Sequence, residues 1–133
     1  MPTPTVTNFE ARSYELDPYG HLNNAVYVNW LEQGRLDYLR ARGESYTSIP
    51  DRLGVWVVVV RQELDYRAQV EMGDRLALTT QIEHLGNSSF RFDQRLRFED
   101  GRAACDAKVT MVCVDGAGKS APMPAELRGL LEK

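Results

Sequence analysis

Between Asn24 and about Arg42, Tyr27, Trp30, Leu31, Gly34, Tyr38 and Ala41 recur at three- and four-residue spacing, the spacing of one face of an α-helix. Asn29, Glu32, Gln33, Asp37 and Arg40 fall largely on the other faces. Asn23 stands where an N-cap residue belongs and Gly43 where helices commonly end. The pattern therefore predicts one long helix with marked ends and one apolar stripe to bury. Nearly everything after it has the period of strands, so the stripe has to be buried against a sheet.

The β-branched run Val55–Val60 is apolar enough to predict a strand in the middle of that sheet. Leu76, Leu78, Thr80 and Ile82 then alternate with polar residues over 75–83, and Phe90, Phe92, Leu96 and Phe98 alternate with charged ones over 90–99. From Arg102 to Asp115, Cys105, Ala107, Val109, Met111 and Cys113 share one face. Turn residues at Met72-Gly73-Asp74, Leu85–Ser88, Asp100-Gly101 and Asp115-Gly116 separate these runs. Their short links predict four strands in an antiparallel meander. A further strand is expected over roughly Thr5 to Glu15 and a short amphipathic helix from Pro124 to Leu131. The class is α+β, with the sheet curled around one helix.

The chain of 133 residues is read as a single domain, 1–133, large enough to sustain a core without disulfides or metal. A net charge of -3 argues against nucleic-acid binding, which needs a basic excess, and leaves small anionic ligands open. Cys105 and Cys113 on one strand stand roughly 26 Å apart at strand rise, beyond disulfide reach. They read as reduced thiols of a cytoplasmic protein. No apolar run approaches the ~20 residues of a membrane span, and Met1 to Phe9 lacks the pattern of a signal peptide.

Several motifs fail on inspection. Gly116-Ala117-Gly118-Lys119-Ser120 has Cys113 where a phosphate-binding loop requires glycine, and prolines where a helix should follow. Asn87-Ser88-Ser89 matches a glycosylation sequon without a secretion context. His21 and His84 lack the partners of a zinc site, so no metal is expected. Neither GxSxG nor GxGxxG occurs, which leaves carboxylate chemistry.

The segment Tyr14–Tyr27 puts an acid, a Pro/Gly turn, a histidine and two asparagines at the mouth of the long helix. A helix N-terminus presents unpaired N–H groups and partial positive charge, and suits an oxyanion. Asp17 folded back beside it would face an acyl carbonyl with a carboxylate and an oxyanion hole. Taken alone, Asp17 is also a common turn carboxylate, Asn23 a helix cap, and Tyr27 and Trp30 core residues. Glu32 and Arg35, at i and i+3, read as a helix surface pair. Gly34 in mid-helix points to close approach of helix and sheet.

The pattern Asp17-x-x-Gly20-His21-x-Asn23-Asn24-x-x-Tyr27-x-x-Trp30-x-Glu32-x-x-Arg35 resembles the signature of hotdog-fold acyl-CoA thioesterases of the 4-hydroxybenzoyl-CoA thioesterase type, and is similar to that of acyl-ACP thioesterases. The resemblance implies a hotdog fold and hydrolysis of an acyl thioester without a cofactor. It assigns Asp17 as nucleophile or general base and the backbone N–H at Asn24 as oxyanion donor. It keeps Gly20 in the turn, and it places His21 in the site as orienting, water-binding or proton-transferring group. His21 and Asn23 are typical of one branch of the family, whereas the 4-hydroxybenzoyl-CoA enzyme has apolar or aromatic residues there. Substrate contacts are expected from Gly20, Asn23 and Tyr27, and coenzyme A contacts from Ser88, Ser89 and Arg91, although Arg91, Arg95 and Arg97 also read as a solvated face. The resemblance further implies a homodimer or homotetramer with the site between subunits. Two other classes share the fold and stay open at this point, a hydratase acting on the acyl chain and a non-catalytic acyl-CoA binding module.

Overall fold

A computed structural model describes residues 2–133; Met1 lies outside them. Strand β1 (Thr5–Glu10) leads through a single 3-10 turn, Ser13–Glu15, to helix α1 (Asn24–Arg40) and a short α2 (Ser48–Leu53). Strands β2 (Trp56–Tyr66), β3 (Arg75–Leu85), β4 (Ser89–Phe98) and β5 (Ala103–Val114) follow, and α3 (Ala125–Leu131) ends the chain. The strands form one antiparallel sheet in the order β1-β3-β4-β5-β2. It curls around α1, which lies on β1, β3 and β4. The predicted α+β architecture is present.

Two expectations about strands are corrected. Only β3, β4 and β5 form a meander, and β2 is an edge strand, not a central one. The reason is that β1 occupies the free side of β3, with Thr5 opposite Thr80 and Glu10 opposite Arg75. The edge left for β2 is that of β5, where Trp56 pairs with Val114 and Tyr66 with Cys105. Its valines consequently meet solvent in this chain, with Val60 59% exposed. Strand β1 is also shorter than expected, because the chain turns at Ser13. Helix α2 was not anticipated; it ends on Gly54 in the left-handed region, φ 72°.

The middle of α1 touches the sheet. An added Cβ at Gly34 would stand 2.6 Å from Leu78 Cδ2, 2.7 Å from Thr80 Oγ1 and 3.0 Å from Gln94 Nε2. Two of those atoms are held in place, since the buried Gln94 donates from Nε2 to both the Leu31 carbonyl and Thr80 Oγ1, each at 2.9 Å. Arg35 joins this layer and is 3% exposed. Its Nη1 donates to Gln94 Oε1 at 3.1 Å, and its Nε has no hydrogen-bond partner among the described residues. The surface pair expected with Glu32 is therefore replaced by a buried contact, because position 35 follows Gly34 on the sheet-facing stripe. Apolar clusters lie to either side of this layer, one around Tyr27, Leu31 and Leu96, the other around Tyr38, Phe92 and Met111.

Gly34→Ala should gain about 1 kcal/mol in helix propensity and lose roughly 1–3 kcal/mol to overpacking. A net loss of stability in urea denaturation is the expected outcome; a net gain would contradict the close contact. Glu44 offers a second check. Arg52, then Ser48, hold its buried carboxylate and push its pKa below the usual range. That stabilisation is present above the unfolded carboxylate value of about 4.3 and is lost as pH falls through the lower folded value. The stability difference between the protein and Glu44→Gln should thus be full at pH 7 and shrink on acidification below about pH 4.

Candidate functional site

The chain enters α1 through a turn built on Asp17. Its Oδ1 accepts from the backbone N–H of Tyr19 at 2.9 Å and of His21 at 3.1 Å, an Asx turn closed by Gly20 N–H to Asp17 O at 3.0 Å. Gly20 has φ 81°, a conformation that excludes most side chains. The second carboxylate oxygen, Oδ2, has no hydrogen bond among the described residues. The turn is stitched to the strand-linking segment after β2, with Leu22 N–H donating to Val70 O at 2.7 Å and His21 bridged to Glu71. Glu15 ties it to the helix, its Oε2 accepting from Trp30 Nε1 at 3.1 Å, while the Trp30 ring stacks on Phe9 at 4.5 Å.

Asn23 caps the helix as its sequence position predicts. Its side-chain oxygen accepts from Ala25 N–H at 2.9 Å, and its carbonyl accepts from Val26 N–H at 2.9 Å. These two bonds leave the Asn24 N–H with no protein acceptor among the described residues. A first-turn donor on the positive end of the helix and a free carboxylate oxygen thus belong to residues that share one cavity.

That cavity has a volume of about 700 Å³. Asp17, His21, Asn24, Arg67 and Gln69 supply polar lining, and Leu22, Tyr27, Tyr66 and Ala68 supply an aromatic and apolar part, with Tyr19 at the side. Burial pushes the Tyr27 hydroxyl up to about 12, helped by the nearby Cys105, Tyr66 and Asp17. The Tyr27 and Tyr66 rings meet edge to face, 4.9 Å between centroids. The guanidinium of Arg67 is held by Asp106 at 3.2 Å and Asp65 at 3.5 Å. Among the described residues no three His, Cys, Asp or Glu side chains gather as a metal-binding cluster.

Of the residues singled out from sequence, the structure brings Asp17, His21, Asn24 and Tyr27 together on this cavity, whereas Gly20 and Asn23, in the turn and at the helix cap, are not part of its lining. Ser88, Ser89 and Arg91 are elsewhere in the chain. Ser89 and Val58 both pair with Val112, whereas Tyr66 pairs with Cys105, so seven strand residues, roughly 23 Å, separate the two regions. There Ser88 Oγ lies 3.1 Å from Ser120 Oγ, and Arg91 Nε donates to Glu83 at 2.6 Å. Arg95 and Arg97 are likewise paired, with Asp93 and Asp106. Sequence reasoning missed Tyr66, Arg67, Ala68 and Gln69 because it ended the strand at Val60. A bulge between Val59 and Arg61 breaks the period of two there, and only the pairing with β5 sets Leu64 opposite Ala107 and Tyr66 opposite Cys105.

The family model described as the thioesterase-like superfamily matches residues 11–131. The chain is 33% identical over 129 residues to the long-chain acyl-CoA thioesterase FadM of Escherichia coli (strain K12), covering 96% of each chain. The crystal structure of YbaW, a probable thioesterase from Escherichia coli, is 32% identical and matches with a TM-score of 0.85 over 96% of each chain. Slr0204, a 1,4-dihydroxy-2-naphthoyl-CoA thioesterase from Synechocystis, shares the fold at 18% identity, with a TM-score of 0.88 over 97% of this chain and 96% of that one.

The two thiols, one in each apolar cluster, give a test of the core packing. Both are buried and unbridged, and burial raises the Cys105 pKa to about 11 and also raises that of Cys113. The thiolate is the reactive form. A chromogenic disulfide reagent should therefore find no fast-reacting thiol in the native protein and two after denaturation; prompt native labelling would contradict this packing.

Proposed function

This chain belongs to the thioesterase-like superfamily and has the hotdog fold, and we propose that it is an acyl-CoA thioesterase releasing a free acid and coenzyme A. The observation that carries the reading is the pairing of two unused groups on one cavity, the Asp17 Oδ2 and the Asn24 N–H. A thioester carbonyl between them meets a carboxylate on carbon and a hydrogen-bond donor on oxygen. As the carbonyl becomes tetrahedral, the donor and the helix end stabilise the negative charge on its oxygen. Asp17 attacks directly, forming an anhydride with loss of the thiolate that water then hydrolyses to the free acid, or it takes a proton from an attacking water. The departing group is a thiolate, and thiols are far more acidic than water or alcohols, so it leaves with little help from a general acid. No cofactor is needed for this sequence of steps.

In this reading His21 lines the cavity as orienting or water-binding group, Gly20 and Asn23 hold the loop and helix end, and Tyr27 walls the acyl side. We assign the protein to the cytoplasm as a single domain, in keeping with its free cysteines. No helix among the described residues is long and apolar enough to cross a membrane.

Assembly gives Ser88, Ser89 and Arg91 a place. The free edge of β2 carries exposed Trp56, Val58, Val59 and Val60, a pairing liability unless covered. Antiparallel pairing of two β2 edges about a two-fold axis sets the Trp56 end of one copy beside the Tyr66 end of the other. The region of Ser88, Ser89 and Arg91 in one copy then approaches the cavity of its neighbour, where it contacts coenzyme A. A homodimer is the smallest such assembly, and a homotetramer extends it. Light scattering at micromolar concentration should return at least twice the 15.1 kDa chain mass; a monomer would contradict the composite site.

Asp17→Asn is the direct test of the chemistry. Asn retains the oxygen that accepts from Tyr19 and His21, so the turn is kept and the negative charge is lost. Thiol release across a panel of acyl-CoAs should fall at least about 100-fold with little change in thermal midpoint. Undiminished activity would remove Asp17 from the mechanism. Hydration of an enoyl-CoA without thiol release, or tight acyl-CoA binding with no turnover, would overturn the hydrolase reading. Comparison of acyl-CoA with acyl-ACP donors identifies the carrier.

A further inference from the structure

The cavity lining combines the polar Asp17, His21, Asn24, Arg67 and Gln69 with Tyr19, Leu22, Tyr27, Tyr66 and Ala68, and the proposed chemistry uses the Asp17 and Asn24 part. With the carbonyl between Asp17 and Asn24, the acyl chain extends toward the aromatic side and meets Tyr27, which is 5% exposed. Tyr27 is in edge-to-face contact with Tyr66, its ring plane 83° from that of its neighbour.

Next to this pair, β5 presents small side chains. Tyr66 lies directly opposite Cys105, and Leu64, on the same face of β2, lies opposite Ala107. Ala104, Cys105 and Ala107 are buried in the same apolar cluster as Tyr27, Leu31 and Leu96. The two tyrosines differ in how firmly they are held. Tyr27 is on α1 and enclosed. Tyr66 is the last residue of an edge strand, is 52% exposed, and its hydroxyl has no partner among the described residues. Apart from its backbone, what fixes the Tyr66 ring is contact with other rings and apolar groups, an interaction that is modest for a single aromatic pair.

We infer that Tyr66, seated against Tyr27, sets the length of acyl chain the site accepts, by closing the cavity off from the small residues of β5. This specificity role rests on the thioesterase reading of the same cavity. A smaller side chain at 66 opens a path toward Cys105 and Ala107, and a larger one shortens the floor. Tyr27 frames that path with its ring and not with its hydroxyl.

The test compares the protein with Tyr66→Ala, Tyr66→Trp and Tyr27→Phe, using kcat/KM for butanoyl-, octanoyl- and hexadecanoyl-CoA. The ratio of hexadecanoyl to butanoyl activity should rise about tenfold or more in Tyr66→Ala, the scale on which apolar pockets discriminate chain length, and fall in Tyr66→Trp. It should stay unchanged in Tyr27→Phe, whatever happens to the absolute rate. Ratios of dissociation constants for the matching non-hydrolysable acyl-CoA thioethers should move in the same directions. Since ratios are compared, a variant with less folded protein still reports on selectivity. Equal changes at every chain length, or shifts of the same sign in Tyr66→Ala and Tyr66→Trp, would overturn the inference and leave the thioesterase reading intact. Binding ratios that shift as expected in a protein with no hydrolysis would do the reverse.

Discussion

The contact of α1 with the sheet at Gly34 is the constraint on which the rest of the molecule depends. With no side chain at that position, Leu78, Thr80 and Gln94 reach the helix backbone, and Gln94 binds the helix at the Leu31 carbonyl. A helix pinned in its middle has little freedom at its ends. Its first turn is held further by Trp30 between Phe9 and Glu15, and by the turn that is stitched to Val70. The cavity is the gap between that fixed helix end and the terminus of β2. Preorganisation of this kind is what electrostatic stabilisation of a developing oxyanion requires.

Two residues divide their capacity between the fold and the proposed chemistry. Asp17 commits one oxygen to the turn and keeps the other free, so its reading as a turn carboxylate and its proposed catalytic reading are not rivals. Asn23 saturates the N–H groups of residues 25 and 26 and leaves that of residue 24 open. A cap that consumed every first-turn donor would stabilise the helix and remove the proposed oxyanion site.

Much of this was legible in the residues because it is local. Helix α1, its Asn23 cap, the Gly20 turn and the alternation of β3, β4 and β5 are short-range patterns, and they are present. What the patterns could not carry was non-local. The valine run of β2 reads as central by composition, yet its position follows from β1 having taken the edge of β3. Arg35 reads as a surface cation, yet the helix face it shares with Gly34 buries it against Gln94. Tyr66 and Arg67 reach the cavity only through the β2–β5 pairing, which no local period announces. The proposed contact of Ser88, Ser89 and Arg91 with coenzyme A needs a second copy of the chain, and no pattern within one sequence carries that.

The account depends on where a thioester carbonyl rests. A crystal structure with a non-hydrolysable acyl-CoA analogue that keeps a carbonyl group measures this directly. The carbonyl oxygen should lie about 3 Å from the Asn24 nitrogen, with the carbonyl carbon facing Asp17 Oδ2 and the acyl chain directed toward Tyr27 and Tyr66. A carbonyl bound away from the helix end, or one whose carbon faces no carboxylate, would contradict it.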